Sequence, residues 1–401
     1  MIQKIDLIIM FSYFSSLLFG QSETKDVKPS SKKIKKRKRD IMSHDEMIVS
    51  HREIAKVIYS LFNQKYVLFG LKKWYKFEDH SWKPTGDDWV YKQKKKIENE
   101  AFIRFGYPVS LDTVNKDKLM KDVAYLFNRS LTDLAYKYDV NRNLIAFRNG
   151  LYDLEKKEFR DGSYKDKLTQ NCQMKYTTED ACLISVENYF RDLIPKEENR
   201  VFFLQTLARA LVGKSVDKMF VFPKQANVKE LIEDVLPFVS GDYWIDGTPL
   251  VISKYNEERI LELEKLKKKR MATYNLDYDN GSQFTRLKLH CDTDYQSTCY
   301  VLTNEFPKLE NNDYGLWRRV VYFPPHMFQN IGCSFEPEWD IALITLLMRY
   351  VPDLDWDGEI LHYPEDINKY MTQAKLQAEQ YELQKIAEMR NVKSEFGMED
   401  D

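Results

Sequence analysis

The chain has 401 residues, 43% hydrophobic and 14% aromatic, which is ample for two or three packed domains and excludes a wholly disordered chain. Its 61 basic residues are balanced by 62 acidic ones, so nucleic-acid binding by a strongly cationic whole is excluded and local basic clusters would have to supply it. Cys172, Cys182, Cys291, Cys299 and Cys333 form no CxxC pair and have no histidine at ligand spacing, which argues against structural zinc and for reduced thiols in an intracellular protein, so no metal ligand is expected.

Residues 1–45 read as an apolar segment followed by a linker. Leu7 to Phe19 follows Lys4 and Asp6 and is too short for a stable membrane span. Two readings stay open: a signal-peptide core, which implies secretion, or an extension upstream of the true domain. The weak charge before the run and the mediocre cleavage site at Leu18-Phe-Gly20 favour the second, and with it an intracellular protein. From Gln21 to Asp45 there are no aromatics, and Lys32, Lys33, Lys35, Lys36, Arg37, Lys38 and Arg39 cluster as a disordered basic linker. It reads equally as a tether, a nuclear-import signal or a phosphate-binding arm.

Residues 46–165 predict an α+β amino-terminal domain. Ile54, Val57, Ile58, Leu61 and Phe62 have helical spacing; Tyr66 to Lys83, with Trp74, Tyr75, Phe77 and Trp82 about Glu78-Asp79-His80, reads as an aromatic β-hairpin. Helical pattern returns over Trp89 to Phe105 and Lys118 to Tyr138. Asn143 to Gly162 then predicts a second hairpin turning at Asn149-Gly150, residues that tolerate positive φ. Residues 166–215 form a helical connector, with helices about Val186 to Leu193 and Val201 to Val212 and a cap at Gly213. Residues 216–345 alternate short apolar strands (Met219 to Phe222, Leu250 to Ser253, Arg270 to Leu276, Thr298 to Thr303) with charged helices such as Val228 to Val239, an α/β pattern. Residues 346–401 continue the helix over Trp339 to Tyr350 and add a polar one from Glu365 to Glu395 after Pro364.

Gly213-Lys214-Ser215 copies the end of the phosphate-binding pattern G-x-x-x-x-G-K-[ST], but a helix precedes it and a strand follows, the reverse of what that loop needs. The correct topology lies at Met219-Phe-Val-Phe222, which runs into Pro223-Lys-Gln-Ala-Asn-Val-Lys-Glu230 and a helix. Here the chain resembles the superfamily 3 helicases of large DNA viruses, phages and plasmids, the helicase half of poxvirus-type primase-helicases, whose loop reads G-P-x-x-N-G-K-[ST]. Pro223, Asn227 and Lys229 match with one residue inserted; Val228 stands for the last glycine and Glu230 for the hydroxyl residue. β-Branched Val228 suits neither positive φ nor close approach to phosphate. A Glu230 carboxylate about 4 Å from a phosphate oxygen is repelled by about 4 kcal/mol at an effective dielectric of roughly 20.

The resemblance extends to three further segments. Arg270-Met-Ala-Thr-Tyr-Asn275 is similar to the family's second motif, but Asn275 stands where a carboxylate is expected and Asp277 comes two residues late; an amide cannot act as a general base. Tyr300-Val-Leu-Thr-Asn-Glu-Phe-Pro-Lys-Leu309 resembles the third motif, making Asn304 the γ-phosphate or water contact. Asp313-Tyr-Gly-Leu-Trp-Arg-Arg-Val-Val-Tyr-Phe323 resembles the segment that offers an arginine to a neighbour's ATP, making Arg318 or Arg319 that group. Singly, each motif has a structural reading: Trp317 as core, the arginines as surface ion pairs, Asn304-Glu305 as a turn. Their shared order favours the family.

The resemblance covers roughly residues 50 to 385 and implies an AAA+-like P-loop NTPase core with a helical C-terminal extension. It implies ATP and Mg²⁺ as cofactors of an active copy, DNA as partner and a homo- or hetero-hexameric ring. The altered loop predicts impaired or lost ATP hydrolysis in a viral or virus-derived helicase-like replication protein. The alternatives are a non-catalytic subunit of a helicase ring or host complex, or a secreted derivative.

Overall fold

The computed structural model describes residues 49–70, 73–130, 133–134, 137–213, 218–246, 268–276, 298–304, 314–351 and 362–395. The apolar amino terminus, the basic linker, the strand expected at Leu250 to Ser253, and Lys214, Ser215, Asp277 and Cys291 lie outside the described residues.

Helix α1, His51–Phe62, starts at a capping box in which Ser50 Oγ accepts from the Glu53 N–H while the Glu53 carboxylate accepts from the Ser50 N–H. Ile54, Ile58 and Phe62 carry its buried face onto strands β1 (Tyr66–Phe69), β2 (Lys73–Glu78) and β3 (Ser81–Thr85). The aromatic stretch thus makes a three-stranded antiparallel meander rather than a single hairpin. Asp79 and His80, at φ 46° and 61°, give the β2–β3 turn the twist of a primed hairpin without an Asn-Gly pair. Helices α2 (Trp89–Lys92), α3 (Lys94–Phe105) and α4 (Lys116–Phe127) follow. Trp89 stacks on Tyr66 with ring centroids 3.8 Å apart and meets the edges of Trp74 and Phe127. Such pairs add about 0.5–1.5 kcal/mol each beyond burial. The helix expected to reach Tyr138 stops at Phe127 because Asn128 turns extended and enters β4 (Asn128–Arg129), which pairs parallel to β1.

A second antiparallel sheet comprises β5 (Leu144–Phe147), β6 (Gly150–Asp153) and β7 (Glu158–Arg160). Its first turn differs from the expected one. Arg148 and Asn149 form the corner, Asn149 has no positive φ, and Gly150 already pairs with Phe147. The glycine serves close approach instead, since a Cβ there would lie 2.5 Å from the Phe159 ring and 2.9 Å from the Arg160 carbonyl. Asn149 braces a distant loop, donating to the Tyr176 carbonyl at 2.8 Å and accepting from its N–H at 2.9 Å.

After α5 (Leu183–Leu193), α6 (Glu197–Ala208) and a 3₁₀ turn at Arg209–Leu211, the chain builds β8 (Met219–Pro223), β9 (Trp244–Asp246), β10 (Met271–Leu276), β11 (Thr298–Thr303) and β12 (Val320–Tyr322). All pair parallel in the order β12-β8-β11-β10-β9. β8 and β11 are buried throughout, as parallel strands covered on both faces must be. Phe220, Phe222, Tyr300 and Leu302 point into one cluster with α5, α6 and α10 (Asp340–Tyr350), which also takes in Ile145 and Phe147 of the second sheet. Met219, Val221, Cys299, Val301 and Tyr322 point the other way, where Tyr370 of α11 (Glu365–Glu395) stacks on Tyr322.

Between β8 and β9 the helix runs through α7 (Ala226–Glu230), a π-helical turn (Leu231–Val235) and α8 (Leu236–Ser240). Pro237 has no N–H for a bond back to Glu233, and the wider turn before it accommodates that loss. No helix among the described residues is long and apolar enough to cross a membrane. An extended strap, Leu168 to Gln173, touches all the layers. Leu168 accepts from the Trp82 N–H, Cys172 donates to the Ala146 carbonyl, and Asn171 accepts from the Asp242 N–H, at 2.7, 2.9 and 2.9 Å.

Buried Arg270 donates to the carbonyls of Leu211, at 2.6 Å, and Leu144, and lies 4.0 Å from the Tyr243 ring centre. Arg270→Ala strands both carbonyls and is expected to cost roughly 3–5 kcal/mol, read as a lower urea midpoint at unchanged slope. Gly241→Ala places a Cβ within 2.9 Å of the Asn171 and Cys172 backbone at a φ of 54°. It is expected to cost at least about 2 kcal/mol in the same assay.

Candidate functional site

The strand order sets where a ligand crevice can open. The chain leaves β8 for the edge strand β9, returns through β10 and β11, and then passes β8 to reach β12. Neighbouring β8 and β11 therefore send their connections in opposite directions. In open parallel sheets the crevice outside the carboxyl ends of such a strand pair is the usual ligand site. Here those ends are Pro223-Lys224-Gln225 and Thr303-Asn304, with Pro223 opposite Thr303 and the Lys224 N–H donating to the Thr303 carbonyl at 3.1 Å. Asn275 lies opposite Leu302, one residue short of that edge.

The structure thus brings Pro223, the start of α7, Asn304 and the β10 position Asn275 to one edge. Asn304 is exposed just past β11. The remaining matched residues sit differently from a phosphate loop. Only Lys224 and Gln225 separate β8 from α7, so Asn227, Val228 and Lys229 are helical. No residue in the described stretch from Met219 to Ser240 has positive φ. Val228 is fully buried in the main core, and Asn227, nearly as buried, donates its amide to the Cys333 carbonyl at 2.7 Å. The Lys229 ammonium lies 3.7 Å from Glu233 one turn on, and Glu230 accepts from the Phe335 N–H at 3.3 Å. Gln225 donates to the Pro325 carbonyl at 2.9 Å. Side chains of this stretch hold the 325–335 segment against the helix.

Apolar spacing carries the signal for this arrangement. Val228, Leu231, Ile232, Leu236 and Val239 lie on one buried helical face, and Val228 belongs to it as its first member. Lys224 and Gln225, the residues at the strand end itself, carry no motif match and go unnoticed in the sequence. Helix α7 has no side-chain cap, so its first N–H groups and positive dipole end face the edge uncapped by a side chain. Such a terminus favours an anion electrostatically. The matched Asn227 and Asn304 are amides and offer no general base.

Arg318 and Arg319 sit at the opposite edge. The Arg319 carbonyl accepts from the Met219 N–H at 2.7 Å and the Arg318 carbonyl from the Lys218 ammonium at 2.5 Å, both at the amino end of β8. Four residues of strand, about 13 Å, separate them from Pro223. Arg319 is buried and donates to the Gly315 carbonyl at 2.8 Å, whereas Arg318 is exposed. Neither is placed to serve the Pro223–Asn304 crevice of its own chain.

Comparison with known proteins places this geometry. The family described as D5 N terminal like matches residues 55–236, from α1 through the amino-terminal sheet and both hairpins to β8 and the following helix. A putative helicase of Acanthamoeba polyphaga mimivirus, L207/L206, is 23% identical over 393 residues, spanning 79% of this chain and 41% of that protein. Putative helicase 184R of Invertebrate iridescent virus 6 is 33% identical over 93 residues, 22% of this chain and 10% of that protein. The apo A form of the NrS-1 C-terminal region aligns over 79% of this chain and 70% of that one at 13% identity, with a TM-score of 0.35. The chain spans less than half the length of these curated relatives. By its D5 match and its viral relatives, the chain is a viral-type primase-helicase-like protein with a D5 N-terminal-like region over residues 55–236.

Proposed function

We propose that the chain is a helicase-like protein of viral DNA replication whose parallel-sheet core descends from an AAA+-like P-loop NTPase and has lost effective ATP hydrolysis. The observation that carries the second half is the start of α7 two residues after β8, with buried Val228 at the glycine position and no left-handed residue in the connection. A triphosphate is gripped by a concave run of N–H groups in which left-handed residues curl the backbone around the anion. A helix that begins at once supplies only its first turn. Lys229 beside Glu233 and Glu230 against the Phe335 N–H give the two motif side chains structural work instead. A phosphate cradle with ATP and Mg²⁺ therefore does not fit the residues present, and no hydrolytic step is assigned to Asn304 or Asp277.

The two-edge arrangement favours a partner role in an assembly. In a homo- or hetero-hexameric ring on DNA, the amino edge with Arg318 would face a neighbouring subunit's carboxyl edge, so the chain would lend an arginine while hydrolysing nothing itself. The exposure of Arg318 and its separation from Pro223 support this reading.

The first test is calorimetry with ATP and Mg²⁺ together with a DNA-stimulated ATPase assay on the purified chain. No saturable binding and no turnover are expected, with Lys229→Ala indistinguishable from the parent; DNA-stimulated turnover that disappears in Lys229→Ala would overturn the proposal. A second test restores the motif. Val228→Gly with Glu230→Thr recreates the G-K-[ST] lettering but removes a fully buried side chain and a bond to Phe335. It is expected to lose roughly 2–4 kcal/mol of stability without gaining ATP affinity; a gain in affinity would show that lettering, rather than the early helix start, limits binding.

A further inference from the structure

Away from the parallel-sheet edge, a cavity of about 330 Å³ opens between the amino-terminal meander, the strap and the segment around Asp242 and Lys268-Lys269. Its wall is mainly apolar, with Tyr75, Pro84 and Leu134 supplying hydrocarbon and aromatic surface. Set into that wall is Gln170, 7% exposed, whose side-chain oxygen has no hydrogen-bond partner among the described residues. A buried acceptor left unpaired costs about 1–3 kcal/mol, so a donor from outside the fold is favoured there. Gln173 lines the same space and is held in place by the bond from its amide to Asp242, at 2.9 Å.

The lining selects among ligands. A bare phosphate or carboxylate brings only acceptors and would meet the Gln170 oxygen with like partial charge. A lipid tail offers no donor. The amides and lysines make a poor metal cage, and no metal-holding cluster occurs among the described residues. A flat ring with N–H groups on its edge satisfies both features, its face on the Tyr75 and Pro84 side and its edge toward Gln170. Amides read base edges in this way elsewhere. The volume is at the lower end for ligand pockets and holds a base with its sugar. Lys83, Lys268 and Lys269 outnumber Asp139 and Asp242 in the wall by one charge, which suits one phosphate better than three.

We propose that this cavity binds a single unstacked nucleobase through Gln170, presented either as a nucleoside monophosphate or by a single strand of nucleic acid. The inference does not rest on the reading of the sheet edge.

The probes are 2-aminopurine deoxyriboside monophosphate and a short single-stranded oligonucleotide carrying one 2-aminopurine, titrated with the full chain and followed by fluorescence quenching. Saturable quenching is expected for at least one probe, and which one responds identifies the source of the base. Gln170→Leu is expected to weaken it about tenfold or more, the worth of one good hydrogen bond, without lowering the melting temperature, because it removes an unpaired polar atom. Leu134→Phe, which fills the cavity from its apolar side, is expected to give the same loss if Gln170→Leu folds poorly. Lys224→Ala, at the sheet edge, is expected to leave quenching unchanged. No quenching by either probe, quenching that survives both Gln170→Leu and Leu134→Phe, or quenching lost in Lys224→Ala overturns the proposal.

Discussion

The strap from Leu168 to Gln173 is the constraint on which the arrangement of layers depends. Six residues bond to three different substructures: the meander through Trp82 and Ser81, the second sheet through Ala146, and the parallel core through Tyr243 and Asp242. Tyr243 closes the circuit, its hydroxyl donating to the Gln170 carbonyl and accepting from the Ala146 N–H. A buried extended segment is tolerable only if its backbone groups find partners, and here the partners are the neighbouring layers themselves. Lys167 and Gln173, both left-handed, turn the chain into and out of this path, and Gly241 keeps the opposing backbone close enough to bond. The unpaired oxygen of Gln170 stands out against this background because its neighbours are so fully engaged.

Much of this architecture is legible in the chain. The all-apolar run Thr298 to Thr303 reads as a buried parallel strand and is one, and the polar helix from Glu365 to Glu395 begins after its proline as expected. Local chemistry misleads where tertiary packing prevails. Asn149-Gly150 has the lettering of a primed turn, yet the ring of Phe159 claims the glycine for close approach and Tyr176 claims the asparagine. The motif register over Pro223 to Glu230 assigns Val228 to a loop, while its place in the series Leu231, Ile232, Leu236 and Val239 assigns it to a helix face. The core favours the second, since burying a valine is worth about 1.5 kcal/mol or more and a β-branched residue resists positive φ. Bonds from Asn227 to Cys333 and from Glu230 to Phe335 join residues about a hundred positions apart and leave no local trace.

The same parallel sheet presents two chemically distinct margins. At the carboxyl margin, amides and an uncapped helix start face outward; at the amino margin, guanidinium groups are anchored through their backbone carbonyls to the first residues of β8. Losing chemistry at one margin leaves the other intact, because the strands between them are held by apolar contacts on both faces rather than by the site residues.

Helix α11 has a mechanical consequence. At 1.5 Å per residue, its 31 residues extend about 46 Å. Ile367, Tyr370, Met371, Ala374 and Ala378 pack its first turns against the core, while Leu383 farther on is exposed. The remaining 17 residues or so form an arm of about 25 Å fixed at one end, so a tilt of about 5° at the Tyr322–Tyr370 stack displaces the tip by roughly 2 Å. A rearrangement at β12 too small to change its hydrogen bonding is thereby magnified at a point far from the sheet.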